Sequence, residues 1–142
     1  MLEELRKRYP DAETFTFGDS RALCDDLLAL VRSGAKTATC SALRDFTEGG
    51  EALPKPGRRD IALDWDKRPA LVIETVSVEI LRYCDVPESF ALAEGENDNL
   101  VGWRDGHRRY FERNGGFDPE MQLVCERFRL IEDLAQEGGE AP

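Results

Sequence analysis

Apolar and polar residues alternate along this chain with two periods, and the change from one to the other marks out its elements. Leu2, Leu5 and Tyr9 recur at helical spacing before Pro10, which predicts a short first helix. TFTF at 14–17 alternates as a strand does. Asp19 or Ser20 can cap the next helix by accepting backbone N–H bonds. Its apolar stripe is Leu23, Leu27, Leu30 and Val31, widened by Cys24 and Leu28. Gly34 is placed to end that helix in the left-handed conformation, and residues 37–43 then read as extended.

Gly and Pro make EGGEALPKPG at 48–57 a loop. RDIALDW at 59–65 alternates, which puts Ile61, Leu63 and Trp65 on one face. After a turn at DKRP, ALVIETVSVEIL at 70–81 is long and β-branched. Its start is apolar on both faces, as in a barrel or central strand. Pro87 opens a short helix, PESFALAEGE. A longer helix runs from about Asn99 to Arg113 and stops at Gly115–Gly116. The last strand, about 121–131, sets Val124, Phe128 and Leu130 against Arg127 and Arg129, and 133–142 reads as a frayed tail. Several strands follow one another without a βαβ rhythm, and no repeat or linker interrupts them. The pattern predicts an α+β fold with a mixed, barrel-like sheet in a single domain over 1–142.

With 142 residues, 41% of them hydrophobic and 34% charged, the chain can bury a core without disulfide or metal staples. No apolar run approaches the roughly 20 residues of a membrane span, and MLEELRKRYP is too charged for a signal peptide. No membrane partner and a cytoplasmic location are expected. Cys24, Cys40, Cys84 and Cys125 are widely spaced, with no CxxC and one histidine, so reduced buried thiols are expected and neither a metal nor a cofactor. A net charge of −10 weighs against broad binding to long duplex DNA, which depends on neutralising phosphates. A small basic pocket in an acidic body remains compatible with it.

Four stretches could carry chemistry. In SGAKTATCSAL (33–43), Lys36 precedes the hydroxyls of Thr37, Thr39 and Ser41. A lysine left neutral by desolvation can activate a threonine three residues on, but on a regular strand the two point to opposite faces. The pair cooperates only if Lys36 belongs to the turn after Gly34 or if a bulge intervenes; otherwise this is a plain polar strand start. In AEGEND (93–98), Glu94 and Glu96 flank a glycine, as a solvated turn or as carboxylates aimed into a cleft. In NLVGWRDGHRRYF (99–111), Trp103 and His107 share one helical face with Leu100, Tyr110 and Phe111, while Arg104 and Arg108 lie on another, free to meet phosphate or water. KPGRRDIALDWDKRP (55–69) is a second basic patch with Trp65 inside it, which suits base stacking or, more simply, core packing.

In this order, SGAKTAT, the KPG loop before a strand, ALVIETVSVEIL, AEGEND and WRDGHRRYF resemble an ASCH domain of the PUA-like superfamily, in its larger bacterial branch. The resemblance covers about residues 14–131. It implies a small β-barrel with flanking helices that form a cleft for RNA or a nucleoside-like or nucleotide ligand. A related branch removes the acetyl group from N4-acetylcytidine with a lysine, a threonine three residues later and a glutamate in an A-E-x-E turn. Lys36, Thr39 and Glu96 match that catalytic set. By resemblance Thr39 attacks the acyl carbon, Lys36 activates it and Glu96 assists proton transfer. Thr37, Ser41, Glu94, Trp103, Arg104, His107 and Arg108 are then the expected ligand-binding residues. This chain is longer than that branch and adds the WRDGHRRYF helix. Metal-independent RNA cleavage, with His107, Lys36 and Glu96 near a ribose 2′-hydroxyl, and RNA binding without chemistry are the alternatives. The oligomeric state is open, with a homodimer among the options.

Overall fold

A computed structural model describes residues 2–134. Helix α1 (Leu2–Arg8) leads to strand β1 (Thr14–Thr16), helix α2 (Arg21–Ser33), strand β2 (Ala38–Ala42) and helix α3 (Leu43–Gly49). Strands β3 (Arg59–Leu63) and β4 (Pro69–Arg82), helices α4 (Glu88–Ala93) and α5 (Leu100–Arg113), and strand β5 (Gln122–Asp133) complete the order. The five strands are arranged β1-β3-β4-β5-β2, with β1 parallel to β3 and the other pairs antiparallel. This mixed sheet curls into a half-barrel with helices against it, which makes the fold α+β.

β4 is the spine of the sheet. It pairs with β3 over its first half and with β5 along most of its length. Register shifts between Val72 and Ile73 and between Thr75 and Ser77 interrupt the β4–β5 ladder, and such bulges bend a strand and increase its twist. The sheet can therefore curve without breaking its pairing.

α2 follows its apolar stripe. Ser20, rather than Asp19, caps it by accepting the Leu23 N–H at 3.2 Å, and Gly34 closes it at φ 87°. Cys24, Leu27, Leu28 and Val31 pack on Phe17, Ala62, Leu71, Ile73 and Phe128 inside the curve. Each large apolar side chain so buried contributes about 1.5–3 kcal/mol. A second cluster seats α4 and α5 on the sheet through Phe90, Trp103, Phe111, Tyr83 and Leu123. A third joins Leu5 of α1 to Ile61, Val72 and Leu134.

Three expectations need correction. Residues 43–49 form a helix; none of them is buried, so no apolar stripe announced it. Trp65 does not share a face with Ile61 and Leu63. The strand ends at Leu63, and the turn carries Trp65 to the α2 cluster while the other two join the α1 cluster. The frayed tail does not begin at 133, because Asp133 ends β5 and Leu134 is 1% exposed. The rest of that tail, 135–142, lies outside the described residues. No helix among the described residues is long and apolar enough to cross a membrane.

Candidate functional site

The curve of the sheet opens on a cleft of about 950 Å3 between β1, α2, β2 and the inner side of α5. Lys36 sits in it almost without solvent, although an ammonium is costly to bury unpaired. β2 begins only at Ala38, so Lys36 belongs to the connection after Gly34. This removes the objection drawn from strand alternation, and both Lys36 and Thr39 line the cleft.

The turn after α4 provides the partners. The Lys36 ammonium donates to Glu94 Oε1 at 3.2 Å, to Glu96 Oε2 at 3.0 Å and to the Glu94 carbonyl at 3.4 Å. Gly95 makes this seat possible. It has φ 77°, and a Cβ there would meet the Ala35 carbonyl oxygen at 2.4 Å. The turn therefore lies directly on the 35–37 backbone, where the Thr37 N–H donates to the Ala93 carbonyl at 2.8 Å. The two glutamates are left to reach Lys36 from both sides of the glycine.

α5 holds Glu94 from behind. Trp103 Nε1 donates to Glu94 Oε2 at 2.9 Å, and His107 Nε2 lies 3.5 Å from Oε1. The His107 ring stacks on Trp103 with centroids 4.2 Å apart, and its Nδ1 lies 2.9 Å from the Trp103 carbonyl oxygen. Burial alone would push the Glu94 carboxyl up, but Lys36, His107 and Trp103 outweigh it and hold Glu94 at about 2. Burial would likewise pull Lys36 and His107 down, yet the adjacent glutamates raise both. Lys36 and His107 thus both face Glu94, and Lys36 faces Glu96 as well, in a mostly buried set. Lys36 is an ammonium here, which corrects the expectation that it serves as a neutral amine base.

Cys40 Sγ, a Glu94 oxygen and a His107 nitrogen lie within 4.8 Å of one another, a potential metal-ligand trio that sequence spacing did not reveal. Burial pushes the Cys40 thiol up, with Glu94 adding to the effect, and Lys36 already fills the cation position beside Glu94. The donor set is that of an ion-pair network. Cys40 also faces Cys125 directly across the β2–β5 ladder, and all four cysteines are free.

Of the residues singled out in the sequence, Lys36, Thr39, Ser41, Glu96 and His107 line the cleft. Glu94 and Trp103 are buried behind it. Thr37, Arg104 and Arg108 are not on its wall; Thr37 is exposed, and the Arg104 carbonyl accepts the Tyr83 hydroxyl at 2.6 Å. The arginines that do line it are Arg58, Arg109 and Arg113. Arg58 is paired with Asp60, and Arg113 with Asp19. In the second basic patch Arg59 meets Glu74, and Arg68 meets Asp64. The cleft wall is acidic on balance: Glu13, Asp26, Asp45, Glu51, Asp60, Glu96 and Glu126 outnumber Lys36, Arg58, Arg109 and Arg113.

Glu126 was not foreseen. It is the direct cross-strand partner of Thr39, lines the cleft and accepts a hydrogen bond from Thr75 Oγ1 at 2.7 Å. Burial raises its carboxyl above the ordinary value. The sequence did hold a signal, since Glu126 falls between Val124 and Phe128 in the inward register of β5.

A model of the ASCH domain matches residues 13–132. Among solved structures, the chain is similar to an ASCH domain from Lactobacillus crispatus JV V101, with 31% identity, a TM-score of 0.79, and coverage of 89% of this chain and 84% of that one. It is also similar to protein EF3133 from Enterococcus faecalis V583, with 35% identity, a TM-score of 0.83, and coverage of 99% and 93%. No curated protein matches. With the curled mixed sheet and a family match over nearly all described residues, the chain belongs to the ASCH domain family.

Proposed function

We propose that the cleft binds a nucleoside-like ligand and hydrolyses an N4-acylcytidine-type amide, with Thr39 as nucleophile. The observation that carries this reading is the Lys36 ammonium, fixed between Glu94 and Glu96 in the same cleft as Thr39. Because it stays charged, Lys36 is assigned to the oxygen of the scissile carbonyl, where negative charge develops during attack. Glu96 holds that ammonium in place. Ser41 and His107 line the same cleft and offer polar contacts to the ligand.

RNA binding without chemistry and metal-independent RNA cleavage are the competing readings. The excess of carboxylates on the wall favours a small neutral ligand over a polyanionic strand. His107 has both ring nitrogens engaged, Nε2 towards Glu94 and Nδ1 towards the Trp103 carbonyl, which suits it poorly to act as the base on a 2′-hydroxyl.

Incubation with N4-acetylcytidine, with cytidine followed by chromatography, tests the proposal. Turnover by the wild type and its loss in Thr39→Ala is the expected result. Equal turnover by both proteins would remove Thr39 from its role. No turnover by the wild type would discard this substrate and bring short-RNA binding and cleavage forward.

A further inference from the structure

We infer that Glu126 is the general base and acid of the cleft: it takes the Thr39 hydroxyl proton as the acyl group is attacked, and returns it to the departing amine. This rests on the reading of Thr39 as nucleophile. A threonine hydroxyl needs a proton acceptor to be reactive. Lys36 cannot supply one while it carries a proton and donates it to Glu94 and Glu96. Glu94 has both oxygens engaged, by Lys36 and His107 on one side and Trp103 on the other. Glu96 is committed to the ammonium.

Glu126 is placed differently. Direct partners on antiparallel strands project to the same face with Cβ atoms about 4.5–5.5 Å apart, within reach of a glutamate side chain. Thr39 and Glu126 are such a pair, and both line the cleft. Thr75 Oγ1 on β4 donates to Oε2, and among the described residues none donates to Oε1. The charged neighbours that act on Glu126 are Asp60 of β3 and Arg58 just before that strand, which pair with each other. Burial and Asp60 raise its proton affinity, against the opposing pull of Thr75 and Arg58. Two carboxyls of the site, buried Glu94 and half-buried Glu126, are thus driven apart, Glu94 down and Glu126 up, as befits a fixed counter-ion and a group that exchanges protons.

The chemistry closes on these residues and one water. Thr39 Oγ bonds to the acyl carbon as its proton passes to the Glu126 carboxylate, and Lys36 faces the oxyanion. The C–N bond then breaks as Glu126 returns the proton to the leaving nitrogen, which frees the amine and leaves an ester on Thr39. Water attacks that ester and gives a proton to Glu126. The ester C–O bond breaks, the proton goes back to Thr39 Oγ, and the acid is released.

The test uses Glu126→Gln, whose amide oxygen still accepts from Thr75, with Glu126→Asp as the conservative variant and Glu120→Gln as an exposed control. On N4-acetylcytidine, Glu126→Gln is expected to lose at least about 100-fold in kcat with little change in KM, and to lose the acidic limb of the pH profile. Glu126→Asp should recover part of the rate. A second arm needs no nucleoside: acetylation of Thr39 by p-nitrophenyl acetate, read by intact mass and peptide mapping. Acetylation that slows in Glu126→Gln but not in Glu120→Gln supports the inference even if N4-acetylcytidine is inert, in which case only the substrate is wrong. Equal acetylation of the wild type and Glu126→Gln overturns it. Absence of Thr39 acetylation together with absence of turnover overturns both Glu126 as base and Thr39 as nucleophile.

Discussion

Lys36 and Glu94 are 58 positions apart in the chain, yet their charged groups meet at 3.2 Å with side chains only 1% and 2% exposed. Burial at this depth makes each dependent on the other. Lys36→Met leaves Glu94 buried with His107 and Trp103 alone, and the loss of one partner from a buried pair costs about 3–5 kcal/mol. Urea unfolding should show that loss. Adding Glu94→Gln to Lys36→Met should restore part of it, because the orphaned charge is gone. A double variant that is simply the sum of the two singles would mean that the pair is not coupled.

Gly95→Ala is expected to damage both stability and site. The new Cβ would stand 2.4 Å from the Ala35 carbonyl oxygen, in backbone rather than a yielding side chain, and at φ 77°. Gly116→Ala shares the positive φ, at 110°, but meets nothing within 4 Å. The second change should cost about 1–2 kcal/mol from conformation alone. The first should cost more, and it should also weaken ligand binding by displacing the seat of Lys36. Equal melting temperatures for the two variants would contradict the close approach.

Stability should fall on both sides of a window set by Glu94 and His107. The folded Glu94 carboxyl titrates at about 2 against an ordinary 4.5, so its contribution is present above 4.5 and is lost as the pH falls towards 2. His107 is raised above 6.5, so its contribution is complete below 6.5 and is lost as the pH rises through the folded value. Melting temperature against pH should therefore be highest between 4.5 and 6.5 as far as these two groups decide it. His107→Gln should flatten the alkaline side. An unchanged alkaline slope would place the titrating group elsewhere.

Leu134→Ala tests the end of the described chain. Leu134 is 1% exposed and packs with Leu5, Ile61 and Val72. The cavity should cost about 2–5 kcal/mol in chemical denaturation, with no direct effect on the cleft. A cost near zero would return this residue to a frayed tail.

What the sequence disclosed followed the strength of local pattern. α2 and α5 were legible because each has a capping side chain, Ser20 or Asn99, and an apolar stripe behind it. α3 was hidden because it buries nothing, and the inward role of Leu134 because one leucine makes no periodicity. In the site, the Lys36–Thr39 spacing and the paired glutamates could be read directly. Their partnership with Trp103 and His107 could not, since it arises from the packing of α5 on the turn after α4. The charge of Lys36 was misjudged for the same reason: isolated burial favours a neutral amine, and only the fold brings two carboxylates to it.

The strand order has a consequence for synthesis. β2 is made before β3 and β4, but its ladder partner is β5, the last strand among the described residues, and β2 occupies a sheet edge with no other described strand beside it. A chain that has not reached residue 122 therefore carries Thr39 on a strand with no partner to pair with, although the turn after α4 can already hold Lys36 and Thr37. Non-local pairing of this kind closes late, after its loop entropy has been met. Products truncated before β5 would contain the candidate nucleophile without the strand that carries its cross-strand partner Glu126, so the cleft is complete only once β5 has paired.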